Sequence, residues 1–256
     1  MARRSRTTSI SWVVLLGAGL AVASALVLLA APLGYRLGVL SLRLALLTLL
    51  RWGAYLAIGA AVISLIGLII TFARPTETRR GLVLAALSLV MAGALIAIPA
   101  RFRMGPPAPP IHDITTDTQD PPQYVAVLPL RADAPNTTAY GGDRVAAQQR
   151  DAYPDLQPAV LNVPPRQAFE RALAAVHEMG WALVEADTKA GRVEATDTTF
   201  WFGFKDDVVI RVRPDDAGSR VDVRSLSRVG VGDAGTNAKR IRAYLDLLTR
   251  ENPTAK

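Results

Sequence analysis

The sequence predicts three membrane-crossing helices followed by an α+β domain. That domain has the order β-α-β-β-β-β-α, an antiparallel sheet with its helices on one face. Three observations carry this reading. Three uncharged apolar runs of about 20 residues each fall within residues 1–103. Charge is split between the two parts of the chain. Residues 1–103 hold eleven arginines, no lysine and one acid (Glu77), near +10, whereas residues 104–256 hold 18 basic and 21 acidic residues, near −3. From Leu156 onward, short runs alternate apolar and polar residues between two segments of helical period.

The apolar runs are Trp12–Ala31, Trp52–Ala73 and Gly81–Ala100. Each is long enough to cross the ~30 Å hydrocarbon layer as a helix. Trp12, Trp52 and Tyr55 sit near run ends, where aromatic rings favour the lipid–water boundary. Gly53, Ala57 and Ala61 recur every four residues, which fits either a close helix–helix seam or ordinary alanine-rich composition. Leu33–Leu50 is apolar but carries Arg36 and Arg43, with Arg51 just beyond. Their spacing puts the three arginines on one side of a helix, so an interfacial amphipathic helix or a re-entrant connection is expected. A fourth span would place an arginine centrally, at a cost of roughly 2.5 kcal/mol or more.

With the N-terminus inside, six arginines (Arg3, Arg4, Arg6, Arg74, Arg79, Arg80) fall on the cytoplasmic side. Five (Arg36, Arg43, Arg51, Arg101, Arg103) fall on the other. The first span and the short loop bearing Arg79 and Arg80 decide for this orientation, which puts the C-terminal domain outside the cytoplasm. Ala23-Ser24-Ala25 resembles a signal-peptide cleavage site, but the run is long and further spans follow, so an uncleaved anchor is expected.

Residues 104–155 read as a linker and loop. Met104–Pro110 holds four prolines and favours stiff, extended backbone. A polar stretch follows, with one short helix around Arg144–Asp151. The α+β domain then spans 156–256. Leu156–Val163 is a strand, and Pro164-Pro165 open a helix whose apolar stripe is Phe169, Ala172, Leu173 and Val176. Gly180 ends that helix. Trp181–Asp187, Arg192–Thr199, Asp207–Arg213 and Arg220–Arg228 alternate as strands. The last helix runs from about Thr236, its expected N-cap, to Arg250, with Ile241, Tyr244, Leu245 and Leu248 inward.

Symmetric turns give the register. Arg213 pairs with Arg220, so Arg211 faces Asp222 and Val209 faces Arg224. Asp187 pairs with Arg192, so Glu185 faces Glu194. Across the middle hairpin Glu194 faces Arg211. One sheet face then carries Glu185, Glu194, Arg211, Asp222 and Arg224. The other carries Val184, Ala195, Ile210, Val212, Val221 and Val223 and takes the helices. The charged face is expected to be solvated, or else a polar platform for a ligand or partner.

Several function classes fall away. The pI of 10.1 belongs to the arginine-flanked apolar segment, so no basic folded surface for nucleic acid is expected. Zero cysteines exclude disulfides, thiolate metal sites and cysteine nucleophiles. His112-Asp113 is half of a metal-hydrolase pair, but only His177 remains to complete it. Asp113, Asp117 and Asp120 lack the glycine and closing glutamate of a calcium loop, so capping and turn roles are expected. Gly230–Gly235 matches GxGxxG between a strand and a helix. The strand alternates VDVRSLSR, however, and no second parallel strand follows, so a glycine turn into the helix is expected, with an anion site at the helix start as the rival. Phe200, Trp201, Phe202 and Phe204 crowd one connection and fold onto the core or face a partner or the bilayer.

Several stretches together resemble a known family. They are PIHDITTD at Pro110–Asp117 followed by Pro121-Pro122, then YPD at Tyr153–Asp155, and FGFKDDVVIRV at Phe202–Val212. The last is DVRSLSRVG at Asp222–Gly230, followed by Asp233, Gly235 and Asn237–Ile241. Over about residues 109–250 the chain resembles the bacterial family called domain of unknown function 1499, whose members often carry hydrophobic spans ahead of the domain. Val231 departs from the pattern, where a polar residue is expected. The resemblance implies no activity.

The combined expectation is a multi-pass protein of the bacterial inner (plasma) membrane bearing an extracytoplasmic binding or interaction domain. Its partners are the lipid bilayer and either another envelope protein or an anionic ligand. The rival readings are a structural accessory of a membrane complex and an enzyme lined by Asp206, Asp207, Arg224 and Arg228. The candidate surface comprises those four residues with Gly232, Gly235, Lys239, Arg240 and Trp201. No catalytic residue, metal or cofactor is assigned.

Overall fold

A computed structural model describes residues 10–73, 79–101, 108–216 and 218–250. The chain divides into two compact units, Met1–Gly105 and Pro106–Lys256.

The first unit holds α1 (Trp12–Arg36), α2 (Leu50–Ala73) and α3 (Arg79–Arg101). A wider, π-type turn, Leu44–Leu49, leads straight into α2, so that helix runs from Leu44 to Ala73. All three are long and apolar enough to cross a membrane. α1 buries Val14, Gly17, Ala21 and Ser24, and α2 buries Gly53, Ala57, Ala60, Ser64, Gly67 and Thr71. Steps of three and four residues keep one seam facing the neighbouring helix. The seam therefore takes Ala60, and Ala61 is only half-buried. At Gly17 an added Cβ would lie 2.7 Å from Ser64 Oγ and 3.1 Å from its backbone nitrogen, so a side chain there would push the helices apart. Ser24 Oγ donates to the Gly53 carbonyl at 2.8 Å across the same seam.

Leu33–Leu50 is not one separate helix: its two ends belong to the neighbouring long helices. Its first residues extend α1. Gly38, at φ 71°, then reverses the chain, with Val39 N–H donating to Gly34 O at 2.9 Å. The stretch Leu44–Ala73 is ~45 Å long at 1.5 Å per residue. The part after Arg51 is by itself long enough to cross the ~30 Å apolar layer.

The second unit is the α+β fold that the alternation predicts, preceded by the short helix expected around Arg144–Asp151 and by one strand more. β1 is Asp113–Thr115, α4 is Gly142–Ala152, β2 is Ala159–Leu161 and α5 is Pro165–Glu178. β3 is Ala182–Asp187, β4 is Arg192–Thr198, β5 is Lys205–Asp215, β6 is Gly218–Ser227 and α6 is Thr236–Thr249. The strands form one antiparallel sheet in the order β1-β6-β5-β4-β3, and β2 also pairs with β6. α5 and α6 cover one face. Phe169, Ala172 and Val176 of α5 and Ile241, Tyr244 and Leu248 of α6 pack on Val193, Ala195, Val208, Ile210, Val212, Val221 and Val223.

Both outer hairpins have the expected register: Arg211↔Asp222, Val209↔Arg224, Asp187↔Arg192 and Glu185↔Glu194. The middle one differs by two residues. Glu194 pairs with Val209, and Arg211 pairs with Arg192. Thr199 N–H donates to Phe204 O at 2.9 Å, so the connection closes across those two residues and fixes the slip. A two-residue slip keeps every side chain on its face and changes only its opposite number. Val184 is the exception to the facial assignment. A bulge between Leu183 and Glu185 turns it to the charged face, against Tyr124, Val127, Val209 and Leu226.

Candidate functional site

Much of the charged face is covered and not solvated. Residues 116–139 run across it and turn it into a second, polar core. Glu194, fully buried, holds that segment down: its two carboxylate oxygens accept the backbone N–H groups of Val125, Ala126 and Val127 at 2.9–3.1 Å. A buried carboxylate is tolerable only with such partners, and an irregular segment needs somewhere to place its N–H groups; each satisfies the other.

Arg224, also fully buried, donates from Nε and Nη2 to Asp113 of β1 at 2.9 and 2.7 Å. Nη1 also donates to Pro122 O and Nη2 to Thr138 O. The rings of Tyr124 and Tyr140 lie 5.0 and 5.5 Å from the guanidinium carbon. Burial works against the Arg224 charge, but Asp113 outweighs it and holds its pKa above the ordinary arginine value. Burial pushes the Tyr140 hydroxyl up to about 12.

Asp207 is bonded by Arg228 (2.8 and 2.9 Å), Thr196 Oγ1 (2.7 Å) and Arg131 of the covering segment. Burial alone would raise its pKa; the hydrogen bonds from Arg228, Thr196 and Arg131 overcome that and hold it below the usual carboxylate value. Asp222 accepts from Arg211, Arg213 and Arg220 at 2.9–3.2 Å. Asp117 and Asp120 join the same three arginines from the covering segment. Asp113, Asp117 and Asp120 thus answer arginines instead of converging on a cation. Among the described residues no group of three or more His, Asp or Glu side chains is placed to hold a metal ion.

Asp206 alternates to the other face of β5. It pairs there with Arg240 of α6 at 2.5 Å, and Arg240 also donates to Asp197 at 2.8 Å and Ser225 at 3.1 Å. The glycine turn before α6 has Gly235, at φ 80°, as N-cap, in place of the expected Thr236. Two of the amides at that helix start are already taken: Asp233 accepts from Gly235 N–H and Asn237 N–H, each at 2.8 Å. Gly232 packs against the incoming chain, where a Cβ would lie 3.3 Å from Pro110 Cα. Lys239 is exposed.

This arrangement runs from Asp113 on β1 to the last turn of α6. The family model described as "Protein of unknown function (DUF1499)" matches residues 113–248, the same extent. The chain belongs to the DUF1499 family. No curated protein matches it.

The proposed site residues therefore separate into distinct groups within the DUF1499 unit. Arg224 with Asp113 and Asp206 with Arg240 are buried ion pairs, and buried Asp207 pairs with half-buried Arg228. None presents a free carboxylate or guanidinium. Trp201 is different: it is 58% exposed, beside Phe200 at 79%. Phe202 and Phe204 stack on one another at 5.0 Å between centroids.

The DUF1499 unit also holds two open clefts that sequence reasoning missed. One, of about 390 Å³, is lined by His112, Thr137, Arg144, Val145 and Val231, with His112 Nδ1 3.1 Å from Val231 O. The other, of about 440 Å³, is lined by Asp117, Gln149, Arg150, Tyr153 and Arg220. Gln149 is buried there and bonds both backbone groups of Thr115, so it closes the free edge of β1 as a strand would. Neither cleft carries a signal at sequence level, because each joins segments far apart in the chain.

Proposed function

We propose that this protein is a membrane-anchored binding or interaction module of the bacterial envelope. Three spans hold it in the inner (plasma) membrane, and its DUF1499 unit lies outside the cytoplasm. The observation that carries the reading is a contrast in burial. The charged residues that could have formed an active site are engaged in ion pairs, all but half-buried Arg228 buried there, whereas Phe200 and Trp201 stand exposed on one connection. Large exposed apolar side chains grouped on a folded domain mark an interaction surface. An enzyme built on Asp206, Asp207, Arg224 and Arg228 would need at least one of them free to meet a substrate, and each is engaged by a partner of opposite charge.

Two measurements test the reading. A reporter active only outside the cytoplasm, fused after Lys256, should be active; activity of a cytoplasm-only reporter there would reverse the orientation. A photo-cross-linking residue at Trp201, in native membranes, should give adducts that the same residue at Arg166 does not. Equal yields at the two positions would remove the interaction surface.

A further inference from the structure

We propose that the exposed aromatic end of the DUF1499 unit docks onto the lipid–water interface of the bilayer that holds the spans, with Phe200 and Trp201 entering the headgroup region. The inference rests on the binding-module reading and names its partner.

Hydrogen bonds place four loops at one end of the sheet: the incoming chain, the glycine turn after β6, the β4–β5 connection and the turn Leu128–Arg131. The incoming chain lies along the end of β6, where Ser227 N–H donates to His112 O (3.0 Å) and Asp233 N–H to Ile111 O (3.2 Å). The β4–β5 connection flanks it, because Asp206 pairs with Ser227 and Arg228 N–H donates to Lys205 O at 3.0 Å. The turn Leu128–Arg131 reaches the same place through Arg228, whose Nη1 donates to Leu130 O. Leu130 (56%), Phe200 (79%), Trp201 (58%) and Val231 (79%) are exposed on these loops. At the opposite end lie the turns after β3 and β5, and Val160 on β2 is the large apolar side chain exposed beside them.

The aromatic pair is held outward by a pinned turn. Phe204 N–H donates to Thr199 Oγ1 at 2.9 Å, Gly203 sits at φ 67°, and Phe202 and Phe204 stack beneath. Phe200 and Trp201 meet edge to face at 5.3 Å. Tryptophan and phenylalanine so displayed suit the boundary layer, where one part of the ring meets hydrocarbon and the rest meets headgroups. Exposed Lys205 at the base of the connection and Lys239 on the first turn of α6 add positive charge that suits anionic headgroups.

Covalent reach selects the bilayer over other occupants. Residues 102–107 alone separate the end of α3 from Ala108, so the chain between Arg101 and Ala108 spans at most ~25 Å at ~3.6 Å per residue. The first described residues of the unit, through Pro110 and Ile111, lie at the apolar end. The bilayer surface is within its reach at all times, whereas a partner protein must first diffuse to it.

The test uses the full chain, which has no cysteine of its own. Phe200→Cys and, as control, Arg166→Cys are spin-labelled and reconstituted into vesicles of phosphatidylethanolamine and phosphatidylglycerol. Collision rates with oxygen and with a water-soluble nickel complex are then compared. Docking predicts that the oxygen-to-nickel ratio at position 200 exceeds that at position 166 severalfold. Free access of both reagents to position 200 would overturn both the docking and the binding-module reading. Shielding from both reagents would overturn bilayer docking alone, because a protein surface, such as a second copy, would then cover the aromatics and the module reading would stand.

Discussion

Arg224 and Asp113 meet in a two-point ion pair that joins the middle of β6 to β1, with both side chains sealed from water. The same guanidinium bonds Pro122 O and Thr138 O, so one side chain also ties to the paired strands β1 and β6 two parts of the covering segment that no strand pairing connects. Arg224→Met would strand a buried carboxylate and unmoor the covering segment. A loss of about 3–5 kcal/mol is expected, which lowers the melting temperature by roughly 10 °C. Arg224→Met combined with Asp113→Leu should recover part of it, because no lone charge then remains. A single variant that melts within 2 °C or so of wild type would show that the pair does not organise this face.

Asp207 and Asp117 set the acid limit of stability. Burial raises both carboxyls, and hydrogen bonds and neighbouring arginines more than reverse it, so both end below their ordinary values. A folded pKa below the unfolded one contributes stability that is present above the unfolded value and lost as pH falls through the folded one. Stability should therefore drop steeply below about pH 4. Asp233 has the opposite sign. Burial, with Asp206 nearby, raises it, so its contribution is fullest in acid and fades as pH rises through its folded value. Denaturant titrations from pH 2 to 7 should show the Asp207→Asn variant with a flatter acid limb than wild type. Parallel curves would assign the acid sensitivity elsewhere.

The layout of spans, the strand order of the meander and the two outer registers follow from local pattern. Alternation sets the face of each residue, and short turns set the pairing of Arg211 with Asp222. The middle register depended on the aromatic connection, whose closing pair, Thr199 and Phe204, has no turn signature. Nor does alternation reveal whether a polar face is covered. Residues 116–139 have no helical or strand period, and the N–H groups of Val125, Ala126 and Val127 are satisfied by Glu194, a side chain some 70 positions away. A sign was present all the same. Val209 and Leu226 interrupt the charged face, and Tyr124 and Val127 interrupt the polar segment that packs on them. Apolar residues on a face assigned to solvent point to a missing layer.

Trp181 and Trp201 should separate packing from surface. Trp181 is 5% exposed and stacks on Tyr244 at 5.4 Å in the helix-covered core. Trp181→Ala should cost about 3–5 kcal/mol. Trp201→Ala touches a side chain that is mostly in solvent, so its cost should stay within about 0.5 kcal/mol, or ~2 °C, in detergent. Thermal melts followed by circular dichroism compare the two directly. A large loss at Trp201 would make it a core residue and withdraw it from the interaction surface.

The amino end of α6 is filled from within the chain, and this changes what anions should do. A helix start normally offers free N–H groups and a positive dipole end, and GVGDAG followed by Lys239 and Arg240 looks built to use them. Here the Asp233 carboxylate takes the Gly235 and Asn237 amides, and Arg240 is committed to Asp206 and Asp197. Sulfate should then raise the melting temperature only by exclusion from the surface, as it does for proteins generally. Wild type and Lys239→Ala should gain equally. Arg240→Ala should start lower, because two acids lose their partner, yet gain the same increment. Asp233→Ala is the decisive variant. It frees both amides, so it should melt lower without sulfate and gain more from sulfate than wild type does. If wild type instead gains more than Lys239→Ala while Asp233→Ala gains no extra, an external anion already occupies this turn and Asp233 is not its cap.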